Sequence, residues 1–260
     1  MDIGQTRFGF VGAAKPAWGP GYIPVRKSSP LACRYLDLAA EFTGSHVVEL
    51  GIDQGASTCF LLEVLRPAGL VAVDINQECP EPLARFLADQ GHTERAALGW
   101  GVDQTDGPTI RNLVGRQFQA APPDLIIDDA SHLIDQTTAS FQELFGLLRP
   151  GGLYLIEDWS WHEKFEVGLA AAVAADESGA FARDLAERAA NQAAPRPMSR
   201  LAAVLALAAA FAPDLVAEVT IRQDWLEVRR GPGAIAPGFD LAELVSPIGR
   251  AWLGLGARQA

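Results

Sequence analysis

The chain has 260 residues, 49% of them hydrophobic and 20% charged, an ordinary balance for a globular protein with room for one large domain or two small ones. A formal net charge of -11 argues against the basic face that a nucleic-acid partner requires, so no nucleic acid is expected. The three cysteines (Cys33, Cys59 and Cys79) are odd in number and form no CxxC pair, which disfavours a disulfide framework and a structural zinc site. The opening "MDIGQTRFGF" lacks a basic segment followed by an apolar run, and no stretch is apolar enough to span a bilayer. No membrane association and a cytoplasmic location are the expectations.

In chain order, residues 1–30 are rich in glycine, proline and aromatics and read as an irregular arm or lid, with Trp18 and Tyr22 placed to close over a ligand or to pack on the domain surface. "PLACRYLDLAAEF" has helical apolar spacing with Pro30 near its start. A regular alternation follows. "HVVEL", "GLVAVDI", "AALGW", "DLIIDD" and "LYLIEDW" read as strands, and "STCFLLEVLRP", "PEPLARFLADQG", "PTIRNLVGRQF" and "IDQTTASFQELFGLLRPGG" as the helices between them. Strands alternating with helices predict βαβ units and a parallel sheet covered on both faces. Residues from about 165 to 212 form an alanine-rich helical insert. "LVAEVTIRQDWLEVRR" then reads as a hairpin on the sheet edge, and residues 232–260 as a tail. Within the insert, "LAAVLALAAAF" is apolar all round and therefore buried, either in the domain or at the contact of a homodimer or higher homo-oligomer.

Two motifs carry chemistry. In "VVELGIDQGAS" a strand ends and a helix opens, with Gly51 and Gly55 relaxing the turn and Ser57 near the helix start. The spacing is not that of a dinucleotide fingerprint, and Glu49 and Asp53 are poor neighbours for a pyrophosphate. They suit a cofactor bearing a cationic amino group, and Asp74 ends the next strand where an acid accepts ribose hydroxyls. The bland alternative is that the glycines only permit a tight turn. The second motif is "IIDDASH", which gives Asp128, Asp129 and His132, with Glu157 and Asp158 in "IEDW" ending the following strand. Carboxylates gathered at adjacent strand ends repel unless a cation neutralises them, and magnesium takes oxygen ligands of this kind. His132 could accept a proton near neutrality. As alternatives, His132 caps the following helix, and Asp128 and Asp129 serve as its N-caps.

The succession "ELGIDQGAS", "VAVD", "LIIDD", "GGLYLIEDW" and "TIRQDWLEV" resembles class I S-adenosylmethionine-dependent methyltransferases over about residues 45 to 230. The resemblance implies an α/β Rossmann-like fold with a seven-stranded, mostly parallel sheet and an antiparallel seventh strand. It implies a domain over residues 31–231, and cofactor binding through Glu49, Gly51, Gly55, Ser57, Asp74 and Asp128. "IIDDASH" with "GGLYLIEDW" is similar to the metal-dependent, mycinamicin-type O-methyltransferases of macrolide sugars. That resemblance implies magnesium held by Asp129, Glu157 and Asp158, with His132 and Asp129 as the catalytic pair. It also implies Asp103 and Gln104 of "GVDQTD" near the cofactor, with Val102 where that group carries glycine. The expected activity is methyl transfer from S-adenosylmethionine to a hydroxyl of a small molecule, a glycosylated natural product. The rivals are a metal-independent methyltransferase and a cofactor-binding accessory protein without catalysis.

Overall fold

The structure, a computed structural model, describes residues 1–11, 17–160 and 198–255. Most of the expected helical insert, together with Trp161 and His162, lies outside the described residues.

The alternating segments form the expected elements. The strands are β4 (His46–Leu50), β5 (Gly69–Asp74), β6 (Ala96–Trp100), β7 (Leu125–Asp128) and β8 (Leu153–Glu157). The hairpin strands are β9 (Val216–Arg222) and β10 (Trp225–Arg230). Their order in the sheet is β6-β5-β4-β7-β8-β10-β9. β4 to β8 pair in parallel, and β10 runs antiparallel to both β8 and β9. Each central strand is a short run of Val, Ile and Leu because both of its faces are covered.

One face carries α1 (Ser29–Phe42), α2 (Ala56–Leu65) and α3 (Glu81–Asp89), which bury Tyr35, Phe60 and Phe86 against Val47, Ile127 and Leu155. The other carries α4 (Gly107–Gln117), α5 (Ile134–Leu144) and α6 (Ser199–Phe211), which bury Ile110, Phe141 and Leu205 against Val48, Ile126 and Tyr154. Leu201, Val204, Leu205 and Ala208 of α6 are buried in this layer, whereas Ala206, Ala210 and Phe211 are exposed, so the stretch is covered within the domain on one side and not all round as expected.

The described residues among 1–30 are not an irregular arm. β1 (Asp2–Ile3), β2 (Thr6–Phe10) and β3 (Tyr22–Val25) make a separate three-stranded sheet, with β2 and β3 parallel. Alternate residues Phe8, Ile23 and Val25 point inward, and Phe8 and Phe10 meet Phe60 of α2 edge to face at 5.4 and 5.3 Å. Gly9 permits the pairing, because a side chain there would run into the Tyr22 ring. The tail is likewise part of the domain as far as Val245. Leu241, Leu244 and Val245 are buried against the α4–α6 layer, and a short helix α7 (Pro247–Trp252) follows.

Candidate active site

The carboxyl ends of β4, β5, β7 and β8 open onto a cavity of about 1050 Å³. Gly51, Ile52, Asp53, Asp74, Gln104, Asp129, His132 and Asp158 line it at the ends of the large sheet and in the loops that follow, and Trp18, Val25, Arg26 and Lys27 line it from the N-terminal segment. This is the crevice where open α/β sheets hold their ligands.

The glycine turn is built for close approach. Gly51 has φ +94°, and a side chain there would collide with the backbone carbonyl of Asp129. Gly55 has φ +86°, and its Cβ would meet Leu83 Cδ2 at 2.7 Å. Asp74 knits this loop to the end of β5 by accepting hydrogen bonds from the backbone N–H of Ile52 (2.7 Å), Asp53 (2.8 Å) and Asn76 (2.8 Å). Ser57 lines the cavity. Its hydroxyl and that of Thr58 donate to Glu49 at 2.7 Å each. Glu49 is buried behind the turn, where desolvation pushes its carboxyl up to about 7 against the pull of Ser57, Thr58 and Lys27. Asp53, on the rim at φ +48°, pairs with Arg26 at 2.8 Å.

Asp128 and Asp129 part company because neighbours along a strand point to opposite faces. Asp128 faces α5, accepting from Ser140 Oγ (2.7 Å) and Tyr154 OH (3.0 Å), with Gln104 Nε2 at 3.3 Å. It is buried and is not among the residues that line the cavity. Gln104 completes the link by accepting from the backbone N–H of Ser131 at 3.0 Å, which ties the β6–α4 loop to the β7–α5 loop. Burial raises the Asp128 carboxyl to about 6 against those donors. Asp103 is exposed on the cavity wall, where Thr105 donates to it through backbone N–H (2.8 Å) and hydroxyl (2.7 Å) and holds its carboxyl below the usual range.

Asp129 turns the other way, onto the face that carries Glu49 and Glu157. In the register of β7 and β8, Asp128 is opposite Ile156, which brings Asp129 beside Glu157. Strand spacing of about 4.8 Å would leave two carboxylates in mutual repulsion. The chain supplies the cation. Lys27 Nζ donates to Asp129 Oδ2 at 2.9 Å and to the two Glu157 oxygens at 2.6 and 2.7 Å. Side-chain exposure is 4% for Lys27, 1% for Glu157 and 23% for Asp129, so this is a buried triad with one acid reaching the cavity. Burial disfavours the ammonium, but the two carboxylates outweigh it and hold the Lys27 pKa above its ordinary value. Glu157 also accepts a hydrogen bond from Tyr35 OH. Burial and the charge of Asp129 push the Glu157 carboxyl up, and Lys27 and Tyr35 pull it back.

Glu157 is thus engaged on its far side, and the expected set of Asp129, Glu157 and Asp158 is not the one that converges. The ligand atoms that lie within 4.8 Å of one another are those of Asp129, His132 and Asp158. His132 Nε2 stands 3.9 Å from Asp129 Oδ1. His132 (φ +55°) and Asp158 (φ +50°) both hold left-handed backbone conformations, costly for residues other than glycine and characteristic of sites where side chains must be aimed. His132 does not cap α5, whose N-cap position is Leu133, and neither Asp128 nor Asp129 does so.

Sequence reasoning missed Lys27, Tyr35 and Arg26. The available signal was that Lys27 is one of three lysines in a chain with 21 basic residues, and it precedes the Ser28 cap of α1.

Residues 48–159 match a family described as a methyltransferase domain. Demethylmacrocin O-methyltransferase of Streptomyces fradiae is 40% identical over 73 residues, 28% of this chain and 18% of the relative. Mycinamicin VI 2''-O-methyltransferase of Micromonospora griseorubida is 43% identical over 72 residues, 28% of this chain and 18% of the relative. The matched stretch thus spans less than a fifth of the curated relatives' length. Among solved structures, MycE methyltransferase from the mycinamycin biosynthetic pathway, in complex with Mg and SAH, superposes with a TM-score of 0.49 at 19% identity over 78% of this chain and 49% of that one. The matched residues run from within β4 to just past the end of β8, and so contain the glycine turn, Asp74 and both acid pairs.

Proposed function

We propose that this protein transfers a methyl group from S-adenosylmethionine to a hydroxyl of a glycosylated small-molecule natural product, with magnesium at the acid cluster. The observation that carries the reading is one cavity whose wall joins the glycine turn and Asp74 to the Asp129–His132–Asp158 cluster. A cofactor on the turn and a hydroxyl at the cluster would then lie side by side, and alignment supplies much of the catalysis in such an in-line displacement. The carboxylates of Asp129 and Asp158 would suit a divalent cation that completes its shell with water or substrate oxygen, which leaves the His132 imidazole unliganded. Such an ion would make the hydroxyl easier to deprotonate. His132 accepts the hydroxyl proton, and Asp129 orients the imidazole and stabilises it once charged. Trp18 and Val25 from the N-terminal segment exclude water from the cavity. The names of the relatives, O-methyltransferases of demethylmacrocin, of a rhamnosyl tetracenomycin C and of mycinamicin VI, support the acceptor class.

The test is transfer of labelled methyl from S-adenosylmethionine to glycosylated polyketide hydroxyls. His132→Ala is expected to lower kcat by about 10²- to 10⁴-fold, with the Kd for S-adenosylhomocysteine within about threefold of wild type. Unchanged turnover would remove His132 from the reaction. Full activity after exhaustive EDTA treatment would favour a metal-independent methyltransferase instead.

A further inference from the structure

Lys27 lies at the centre of the acid cluster and comes from outside the matched residues, two residues beyond the end of β3. On this face of the sheet stand Glu49, Asp129 and Glu157, three acids whose shared cation is Lys27. The ammonium is fixed on every side. Its backbone leads directly into the Ser28 cap of α1, the Tyr35 ring lies 5.4 Å from it, and its three contacts to carboxylate oxygens span 2.6 to 2.9 Å.

The division of Asp129's two oxygens gives the lysine its consequence. Oδ2 is taken by Lys27 at 2.9 Å, and Oδ1 faces His132 at 3.9 Å on the cavity side. A free aspartate would rotate about its terminal bond. Here one oxygen is pinned, so the other has a fixed address. Both oxygens of Glu157 bond to the same ammonium, which draws that carboxylate away from Asp158 and His132.

We propose that Lys27 is a positioning residue of the methyl-transfer site, aiming Asp129 Oδ1 at His132 and withholding Glu157 from the groups that would hold a divalent cation. This rests on the methyltransferase reading above. Lys27 touches neither the hydroxyl nor the cofactor in this scheme. It also lowers the negative potential at the cluster, which keeps cation affinity below what bare carboxylates would give.

The simple variant Lys27→Met leaves two uncompensated acids and could fail to fold, so the test compares Glu157→Gln with the double variant Lys27→Met/Glu157→Gln. The two differ only in the lysine, and the double variant replaces the buried pair by neutral groups of similar size. Three quantities are read in each: kcat, KM for S-adenosylmethionine, and the Kd of Mn²⁺ by electron paramagnetic resonance. From the single to the double variant, kcat is expected to fall at least about tenfold with KM within about threefold, and Mn²⁺ binding to tighten about tenfold as the neighbouring positive charge disappears. An unchanged kcat or an unchanged Mn²⁺ affinity between the two would overturn the assignment, because a lysine serving only the fold would move neither. Loss of Mn²⁺ binding in Glu157→Gln alone would also overturn it, by making Glu157 a ligand. A wild-type protein that binds neither S-adenosylhomocysteine nor Mn²⁺ would overturn the functional reading and this proposal together, whereas wild-type binding with indistinguishable variants overturns only the role of Lys27.

Discussion

Asp128 and Glu157 end neighbouring strands, both are almost sealed from water, and each is followed by a second acid that reaches the cavity. They face opposite layers of the sheet and are accommodated in opposite ways. Asp128 meets neutral donors, namely the hydroxyls of Ser140 and Tyr154 and the amide of Gln104. Glu157 meets the ammonium of Lys27 and the phenol of Tyr35. A buried carboxylate can be satisfied by hydrogen bonds alone when it stands by itself. When a second carboxylate lies beside it, as Asp129 lies beside Glu157, hydrogen bonds leave the repulsion in place and a cation is needed.

The largest expected effect breaks the cationic arrangement. Lys27→Met strands Asp129 and Glu157 together in a buried site, and removing one partner of such a pair costs about 3–5 kcal/mol. Urea unfolding at neutral pH should show a loss of that size. A loss under about 1 kcal/mol would mean that the acids relax into solvent and that the two sides of the sheet do not differ as described.

A second effect comes from pH. Glu49 shares a face with Lys27 and Asp129, both of which act on its charge, yet burial dominates and raises its carboxyl to about 7 from an ordinary 4.5. The native state therefore binds a proton more tightly than the unfolded chain. Stability from this group is fully present below pH 4.5 and declines as pH rises towards 7, by on the order of 3 kcal/mol. Glu49→Gln, which stays neutral, should flatten that part of the stability profile measured by urea unfolding between pH 5 and 8. An identical slope in the variant would assign the decline to another group.

The legible and illegible parts of the sequence divide along the range of the interactions. β4 to β8 and their helices are recorded locally, in short Val–Ile–Leu runs and in breakers such as Pro67 and Gly91, and the sheet was readable for that reason. Gly51, Asp74, Asp129 and Asp158, at or just past strand ends, and His132 in the loop after β7 all line the cavity, a placement that the strand pattern of the sequence predicts. The N-terminal sheet was not readable, since β2 and β3 pair in parallel across a glycine- and proline-rich connection that carries the signature of a loop. Lys27 was less readable still, because its partners are 102 and 130 residues away. Carboxylates gathered at adjacent strand ends demand positive charge, but composition does not show that an ammonium from the N-terminal segment supplies part of it. The split of Asp128 from Asp129 was available in principle from the two-residue period of a strand. The same period puts Asp129 and Glu157 on one face once the register is known.

The smallest effect tests the neutral side of the comparison. Asp128→Asn keeps an oxygen to accept from Ser140 and Tyr154, but its new amide confronts Gln104 Nε2, itself a donor. Gln104 can turn its oxygen towards the asparagine. In doing so it withdraws the acceptor from the backbone N–H of Ser131, next to His132. Two opposed terms follow. Relief of a buried carboxylate whose pKa burial has raised to about 6 favours the variant at pH 7, and one weakened backbone hydrogen bond disfavours it. The net change in stability should stay within about 1 kcal/mol, far below the loss in Lys27→Met. The cost should appear instead in turnover, through looser placement of the Ser131–His132 turn, as a drop of about threefold to tenfold in kcat with little change in KM for S-adenosylmethionine. A stability loss as large as that of Lys27→Met would show that Asp128 needs its charge as Glu157 does, and the contrast between the two faces would fail.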